Sequence, residues 1–172
     1  MKLIGPKIYL VPISDMDTEN IIKWRNNKNV KTYFLFQSQI TINTHKEWME
    51  KIVNTGKARQ FIIYVKKSDK PVGSVYLRDI DTQYEKAEFG IFIGEDEARG
   101  KGYGSEAAEL VCNYGFQTLK LHKIFLRVFA DNTNAIHSYE RAGFEKEAYL
   151  KDEVKINSKF RDIVLMSRIA PR

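Results

Sequence analysis

Arg99-Gly100-Lys101-Gly102-Tyr103-Gly104 decides how this chain is read. An apolar run, Phe89 to Ile93, precedes it and reads as a strand. A strongly helical segment, Ser105 to Leu119, follows it. Three glycines in five positions strip side chains from the backbone where a helix begins. Such a turn presents free amide N–H groups, and the helix N-terminus adds partial positive charge. Arg99 and Lys101 add full charges. The stretch therefore predicts an anion site for a phosphate or a pyrophosphate.

Two common phosphate loops do not fit. In a Walker loop the second glycine is followed by Lys and then Ser or Thr. Here Gly94 and Gly100 are six apart, and Gly102 stands where the magnesium-binding hydroxyl belongs. The dinucleotide fingerprint needs Gly-x-Gly-x-x-Gly, whereas this chain has Gly-x-Gly-x-Gly and no early βαβ unit. A tight strand-to-helix connection with no ligand is the bland alternative.

Outward from the turn, the pattern is mixed. Lys7 to Val11 reads as a first strand. Ser14-Asp15-Met16-Asp17 is a helix start, with an oxygen-bearing cap and acids in the first turn. Thr41 or Thr44 caps a second helix through Trp48, Met49 and Ile52, which Gly56 ends. Gln60–Val65 and Val72–Ile80 read as hairpin partners around Ser68-Asp69-Lys70-Pro71. In the strand Ala87 to Ile93, Ala87, Phe89, Ile91 and Ile93 share one face and Glu88 takes the other. His122 to Phe129 is a further strand. Asn132 caps a short helix that ends at Gly143, and Phe144–Leu150 and Phe160–Ile169 close the chain as strands. The expected fold class is α/β (α+β), one domain over residues 1–172. Strands outnumber helices, and the alternation of a doubly wound fold is missing.

Composition bounds the function. At 172 residues with 43% hydrophobic and 29% charged residues, the chain can bury a core and is not disordered. The lone Cys112 lies mid-helix, so there is no disulfide framework, and it reads as packing rather than as a nucleophile. Met1 to Pro6 lacks a signal-peptide run and no stretch reads as a membrane span, so a cytoplasmic protein is expected. The net charge of +6 comes from scattered Lys and Arg, which argues against nucleic acid and for an anionic cofactor or substrate. His45, His122 and His137 are far apart and lack ligand-spaced partners, so no metal site is expected.

Downstream of the glycine turn, Asn132-Thr133-Asn134-Ala135-Ile136-His137-Ser138-Tyr139-Glu140-Arg141-Ala142-Gly143-Phe144 adds a second motif. Together the two segments resemble the GNAT N-acetyltransferases. Arg99, Gly102 and Gly104 match that family's Gln/Arg-x-x-Gly-x-Gly/Ala. Asn132, Tyr139 and Gly143-Phe144 match its Asn, its Tyr seven residues on and its Gly-Phe pair. The resemblance is clear from about Val72 to Ile169 and looser before that. It implies a mostly antiparallel central sheet with two splayed strands and helices on its flanks.

It also implies acetyl-CoA as co-substrate. Arg99, Gly100, Lys101, Gly102, Tyr103 and Gly104 would cradle the pyrophosphate. Ile91, Phe92 and Ile93 would pair with the pantetheine arm as if it were a strand, and a backbone N–H near Phe92 or Ile93 would polarise the carbonyl. Asn132 would orient the arm from the other side. By the same resemblance Tyr139 is the general acid for the leaving thiolate. Glu88, on the strand face beside the reaction, is the candidate base. Core packing for Tyr139 and ion pairing for Glu88 are the bland alternatives.

The resemblance implies a primary amine as acceptor. Trp24-Arg25-Asn26-Asn27, Thr41 and the segment His45–Trp48 are similar to two branches of the family. One holds the RimJ/RimL-type enzymes that modify protein N-termini. The other holds the PseH-like enzymes, which acetylate a 4-amino sugar on UDP. Arg25, Asn26 and His45 are the candidate acceptor contacts. An amino-sugar nucleotide ranks first, a protein α-amine second and spermidine third. A non-catalytic acyl-CoA-binding module is the alternative of another class. Homodimers are common in the family, so a homodimer is one assembly the resemblance allows, though no segment of this chain signals it.

Overall fold

The computed structural model describes residues Met1–Arg172. Eight strands form one sheet in the order β1-β2-β3-β4-β5-β6-β8-β7. They are β1 (Leu3–Ile4), β2 (Ile8–Pro12), β3 (Arg59–Val65), β4 (Lys70–Asp81), β5 (Lys86–Ile93), β6 (Lys123–Phe129), β7 (Glu145–Ile156) and β8 (Lys159–Ile169). Every neighbouring pair is antiparallel except β5 and β6. The mixed, mostly antiparallel sheet is as expected. β1 has no counterpart in the sequence reading, and β7 runs six residues past Leu150, to Ile156.

Five helices flank the sheet: α1 (Thr18–Asn26), α2 (Lys28–Lys31), α3 (Ile42–Trp48), α4 (Tyr103–Gln117) and α5 (Thr133–Arg141). Ser14 and Asp17 form a capping box on a short 3₁₀ turn, Asp15–Asp17, that leads into α1. Thr41 caps α3, accepting from the Thr44 amide, and α3 widens into a π turn over Met49–Val53. The sequence reading lacks α2, a single turn capped by Asn27.

The sheet divides two cores. On one face α4 packs through Ala107, Ala108, Val111, Cys112 and Gly115, a 3.6-residue stripe of small side chains that brings the helix close. A Cβ on Gly115 would lie 2.8 Å from Ile124 Cδ1. Ala87 and Phe89 of β5 point into this core. On the other face Phe92 joins Trp24 of α1 and Val30 of α2 in a smaller cluster. The alternation expected along β5 is therefore observed.

One detail of the sheet makes the site. β5 and β6 pair only at Lys86↔Lys123, Ala87↔Ile124 and Glu88↔Phe125. Beyond Glu88 the strands part. β5 stays bonded to β4 on one edge, while its other edge faces a gap.

Candidate active site

Two clefts meet at this gap. The first, about 780 Å³, runs between the splayed strands and is bordered by the glycine turn and by α5. Ile91, Phe92, Ile93, Arg99, Gly100, Gly102, Tyr103, Gly104 and Asn132 all line it. The second, about 680 Å³, opens on the opposite face under α1 and α3. Tyr33, Phe34, Ile91, Arg127 and Tyr139 border both.

The turn before α4 has the geometry of an anion cradle. Gly100 and Gly102 hold φ of +73° and +82°, which L side chains rarely adopt. Gly102 caps α4, so the first amides of the helix lack intrahelical partners. The acid of the first turn, Glu106, points away and accepts from the Lys7 and Ile8 amides at 2.8 and 3.0 Å. Gly102→Ala places a Cβ in the left-handed region at a cost of about 1–2 kcal/mol. The variant is expected to melt lower and to bind acetyl-CoA roughly tenfold more weakly. Calorimetric titration beside a melting curve checks this, and unchanged affinity removes the turn from cofactor binding.

The two cations of the turn behave differently from the sequence reading. Arg99 is committed inside the protein. Its Nε and Nη2 donate to the Ile93 carbonyl at 3.2 and 2.9 Å, and Nη1 pairs with Asp96. Lys101 does not border the cleft, and its carbonyl accepts from Lys7 Nζ at 3.4 Å. The positive character of the cradle is therefore mainly that of backbone amides.

The strand edge is also more selective than expected. The Gly94 amide donates to Val72 on β4 at 2.7 Å. Backbone groups alternate between edges along a strand, so Phe92 also faces β4. Ile91 and Ile93 face the gap, and the Ile93 carbonyl is already taken by Arg99. The amides available to a ligand or to a polarised carbonyl are thus those of Ile91 and Ile93. Asn132 borders the cleft and caps α5, accepting from the Ala135 amide at 3.4 Å.

Tyr139 stands at the junction of the clefts. Its ring is held edge-on by Phe89 at 5.8 Å and by Phe144 at 6.1 Å. The Gly143-Phe144 pair has a structural reason. Gly143 ends α5 with φ +86°, and the Phe144 amide donates back to the Tyr139 carbonyl at 3.0 Å. That turn swings Phe144 under the tyrosine. Burial, and secondarily the neighbouring Tyr76, raises the Tyr139 phenol above its usual value, so it keeps its proton at neutral pH.

Glu88 lies where the sequence placed it, buried on the face of the second cleft, but it is not free. Oε1 accepts from Arg127 Nε at 2.9 Å. Oε2 accepts from Arg78 Nη2 at 3.1 Å and Arg127 Nη2 at 3.3 Å. Sequence reasoning missed both arginines. The signal was an arginine inside each apolar strand, Arg78 before Asp79 in Val75 to Ile80 and Arg127 in Ile124 to Phe129. Arg78 is opposite Glu88 on β4, and Arg127 lies two residues beyond Phe125, the β6 partner of Glu88.

The acceptor candidates divide. Arg25 and His45 line the second cleft; Asn26 lines neither. The Asn26 amide instead braces the chain, donating to the Ile40 carbonyl at 2.8 Å and accepting from the Ile40 amide at 2.9 Å. Arg25 lies over Phe34 at 4.0 Å and near Phe92 at 5.8 Å, and forms no ion pair. His45 is buried with no partner for Nε2, and burial holds its imidazole below the usual value. No group of His, Cys, Asp and Glu is arranged to hold a metal.

A sheet splayed beside a glycine cradle, with a protonated tyrosine at the opening, defines an acyltransferase of the GNAT fold. A family model described as an acetyltransferase (GNAT) domain matches residues 7–145. The chain belongs to this family and is an N-acetyltransferase that uses acetyl-CoA. It is 31% identical to spermidine N(1)-acetyltransferase of Vibrio cholerae over 150 residues, covering 87% of this chain and 86% of the relative. The corresponding Escherichia coli enzyme is 31% identical over 159 residues, covering 92% and 84%. Among solved structures, the Vibrio cholerae spermidine N-acetyltransferase in complex with CoA and spermine superposes with a TM-score of 0.88. It is 28% identical and 96% of each chain is covered.

Proposed function

We propose that the chain transfers acetyl from acetyl-CoA, held in the first cleft, to a primary amine entering through the second. The position of Tyr139 on both clefts carries this reading. The amine lone pair attacks the thioester carbon, the C–N bond forms and the C–S bond breaks. The nitrogen gives its proton to water in the second cleft, and the sulfur leaves as a thiolate that accepts a hydrogen bond from Tyr139. The Ile91 and Ile93 amides lie at the gap to meet charge on the carbonyl oxygen. Glu88 is the anchor of the second cleft. It holds Arg78 and Arg127 in place and keeps a lone pair on Oε1 for the amine.

The acceptor carries negative charge beside its amine, and an amino-sugar nucleotide fits that chemistry. One feature supports this: the second cleft has three guanidiniums, from Arg25, Arg78 and Arg127, against one carboxylate, Glu88. The segment that covers it has no Asp or Glu from Asn20 through Lys46. Arg25, unpaired and braced on Phe34, is the natural contact for a phosphate. His45 Nε2 supplies a polar contact beside it. Spermidine is the second reading and the one the comparisons back more strongly. It is the amine of both relatives at 31% identity, and the structure that superposes with a TM-score of 0.88 is a complex with CoA and spermine.

Thiol release with a 4-amino sugar on UDP, spermidine and an N-terminal peptide, run together, tests both. The nucleotide is expected to turn over most efficiently, and Arg25→Gln to lower its kcat/KM by roughly ten- to a hundredfold. Preference for spermidine, with Arg25→Gln neutral or beneficial, selects the second reading. Tight acetyl-CoA binding with no turnover of any amine selects a binding module.

A further inference from the structure

Tyr76 is a buried phenol in the second cleft that none of these roles uses. It sits on β4 directly across from Gly90 of β5, two residues beyond the last pairing of β5 with β6. Its ring occupies the space that a side chain at position 90 would need. A Cβ on Gly90 would lie 2.3 Å from Tyr76 Cζ and 2.5 Å from its hydroxyl oxygen. Glycine at 90 thus lets the phenol lie flat on the strand at the mouth of the splay.

Its surroundings are those of the reaction. Tyr76 lines the second cleft with Arg25, Arg78, Glu88 and Tyr139. Burial chiefly raises its pKa and those same three charged groups act on it to a smaller extent, while Tyr76 in turn adds to the effect of burial on Tyr139. Its hydroxyl forms no hydrogen bond within the protein, yet it is not among the sealed, unpartnered atoms, of which His45 Nε2 is the one instance. The oxygen therefore opens onto the cleft. A largely buried tyrosine hydroxyl normally has a partner, because leaving it unpaired is costly.

We propose that Tyr76 is a substrate-positioning residue, whose phenol oxygen accepts an N–H of the attacking amine at the thioester. This rests on the second cleft being the acceptor's. Tyr76 holds the nitrogen from the β4 side, Glu88 Oε1 offers its second lone pair beside Arg127 Nε on the β5 side, and Tyr139 faces the sulfur from α5. Gly90 is part of the same device, since it seats the ring.

Tyr76→Phe keeps the ring and deletes only the oxygen. With the 4-amino sugar on UDP and with spermidine as probes, kcat/KM for whichever amine turns over is expected to fall about tenfold, mainly in acceptor KM. The melting temperature and acetyl-CoA affinity stay at wild-type values, and the alkaline limb of the pH profile does not move. A variant with wild-type acceptor KM and kcat overturns the proposal and leaves Tyr76 as packing. If neither amine is a substrate of the wild type, the acceptor reading has failed. The Tyr76 proposal is then decided by slow hydrolysis of acetyl-CoA, in which water replaces the amine. Slower hydrolysis in Tyr76→Phe supports it, and an unchanged rate overturns it.

Discussion

Tyr139→Phe is expected to lower turnover about a hundredfold while leaving acetyl-CoA affinity almost unchanged. The substitution removes one oxygen and keeps the ring between Phe89 and Phe144, so the fold and the first cleft should be undisturbed. The cause is electrostatic. As the C–S bond breaks, negative charge develops on a sulfur whose free thiol titrates near 8.5. A phenol raised above 10 does not hand over its proton outright to such a thiolate. In the proposed mechanism it supplies a preorganised donor where the charge appears.

The pH dependence follows from the same shift. The protonated phenol is the working form, and burial raises its pKa, so it is lost only as pH climbs through that raised value. Turnover should therefore show no loss attributable to Tyr139 below pH 10. Steady-state rates across pH, with calorimetric titration of acetyl-CoA, provide the check. Wild-type turnover in the phenylalanine variant would return Tyr139 to the core.

The second large effect belongs to Glu88. Glu88→Gln is expected to abolish most activity and also to destabilise the fold. The two arginines it neutralises are about one-third exposed, at 34% and 35%, so they keep part of their hydration when the carboxylate goes. Breaking a fully buried pair costs about 3–5 kcal/mol, and partial exposure reduces this to roughly 1–3 kcal/mol. Denaturant unfolding measures that cost directly. If Glu88 were simply a base, the glutamine variant would be inactive yet fully stable. That result would replace the anchor with a proton acceptor.

The particular residues explain how far the sequence could be read. Local rules carried the turn, the caps and the strand faces. The glycines at 100 and 102, Thr41 and the alternation around Phe89 each depend on neighbours within a few positions. The second motif carried Tyr139, and its Gly143-Phe144 ending proved to be a helix stop that packs the tyrosine. What stayed hidden depends on register between strands. Nothing near Glu88 in the chain announces Arg78 ten residues before it or Arg127 thirty-nine after it. Asn26 was drawn toward the acceptor by its neighbours, and only the path of the chain at Ile40 reveals a brace. Arg99 shows a similar limit: a cation beside a glycine turn reads as a ligand for phosphate, and nothing local reveals the Ile93 carbonyl to which it donates.

The short seam between β5 and β6 has a mechanical meaning. Three residue pairs join a leaf of five strands to a leaf of three, with α4 packed against strands of both. Such a sheet resembles a book bound along a fraction of its spine. On the placement proposed above, acetyl-CoA in the first cleft would touch both pages and act as the missing binding. Occupancy should then slow amide exchange in Leu126–Phe129 and Phe89–Ile93 together, although these segments share no ladder.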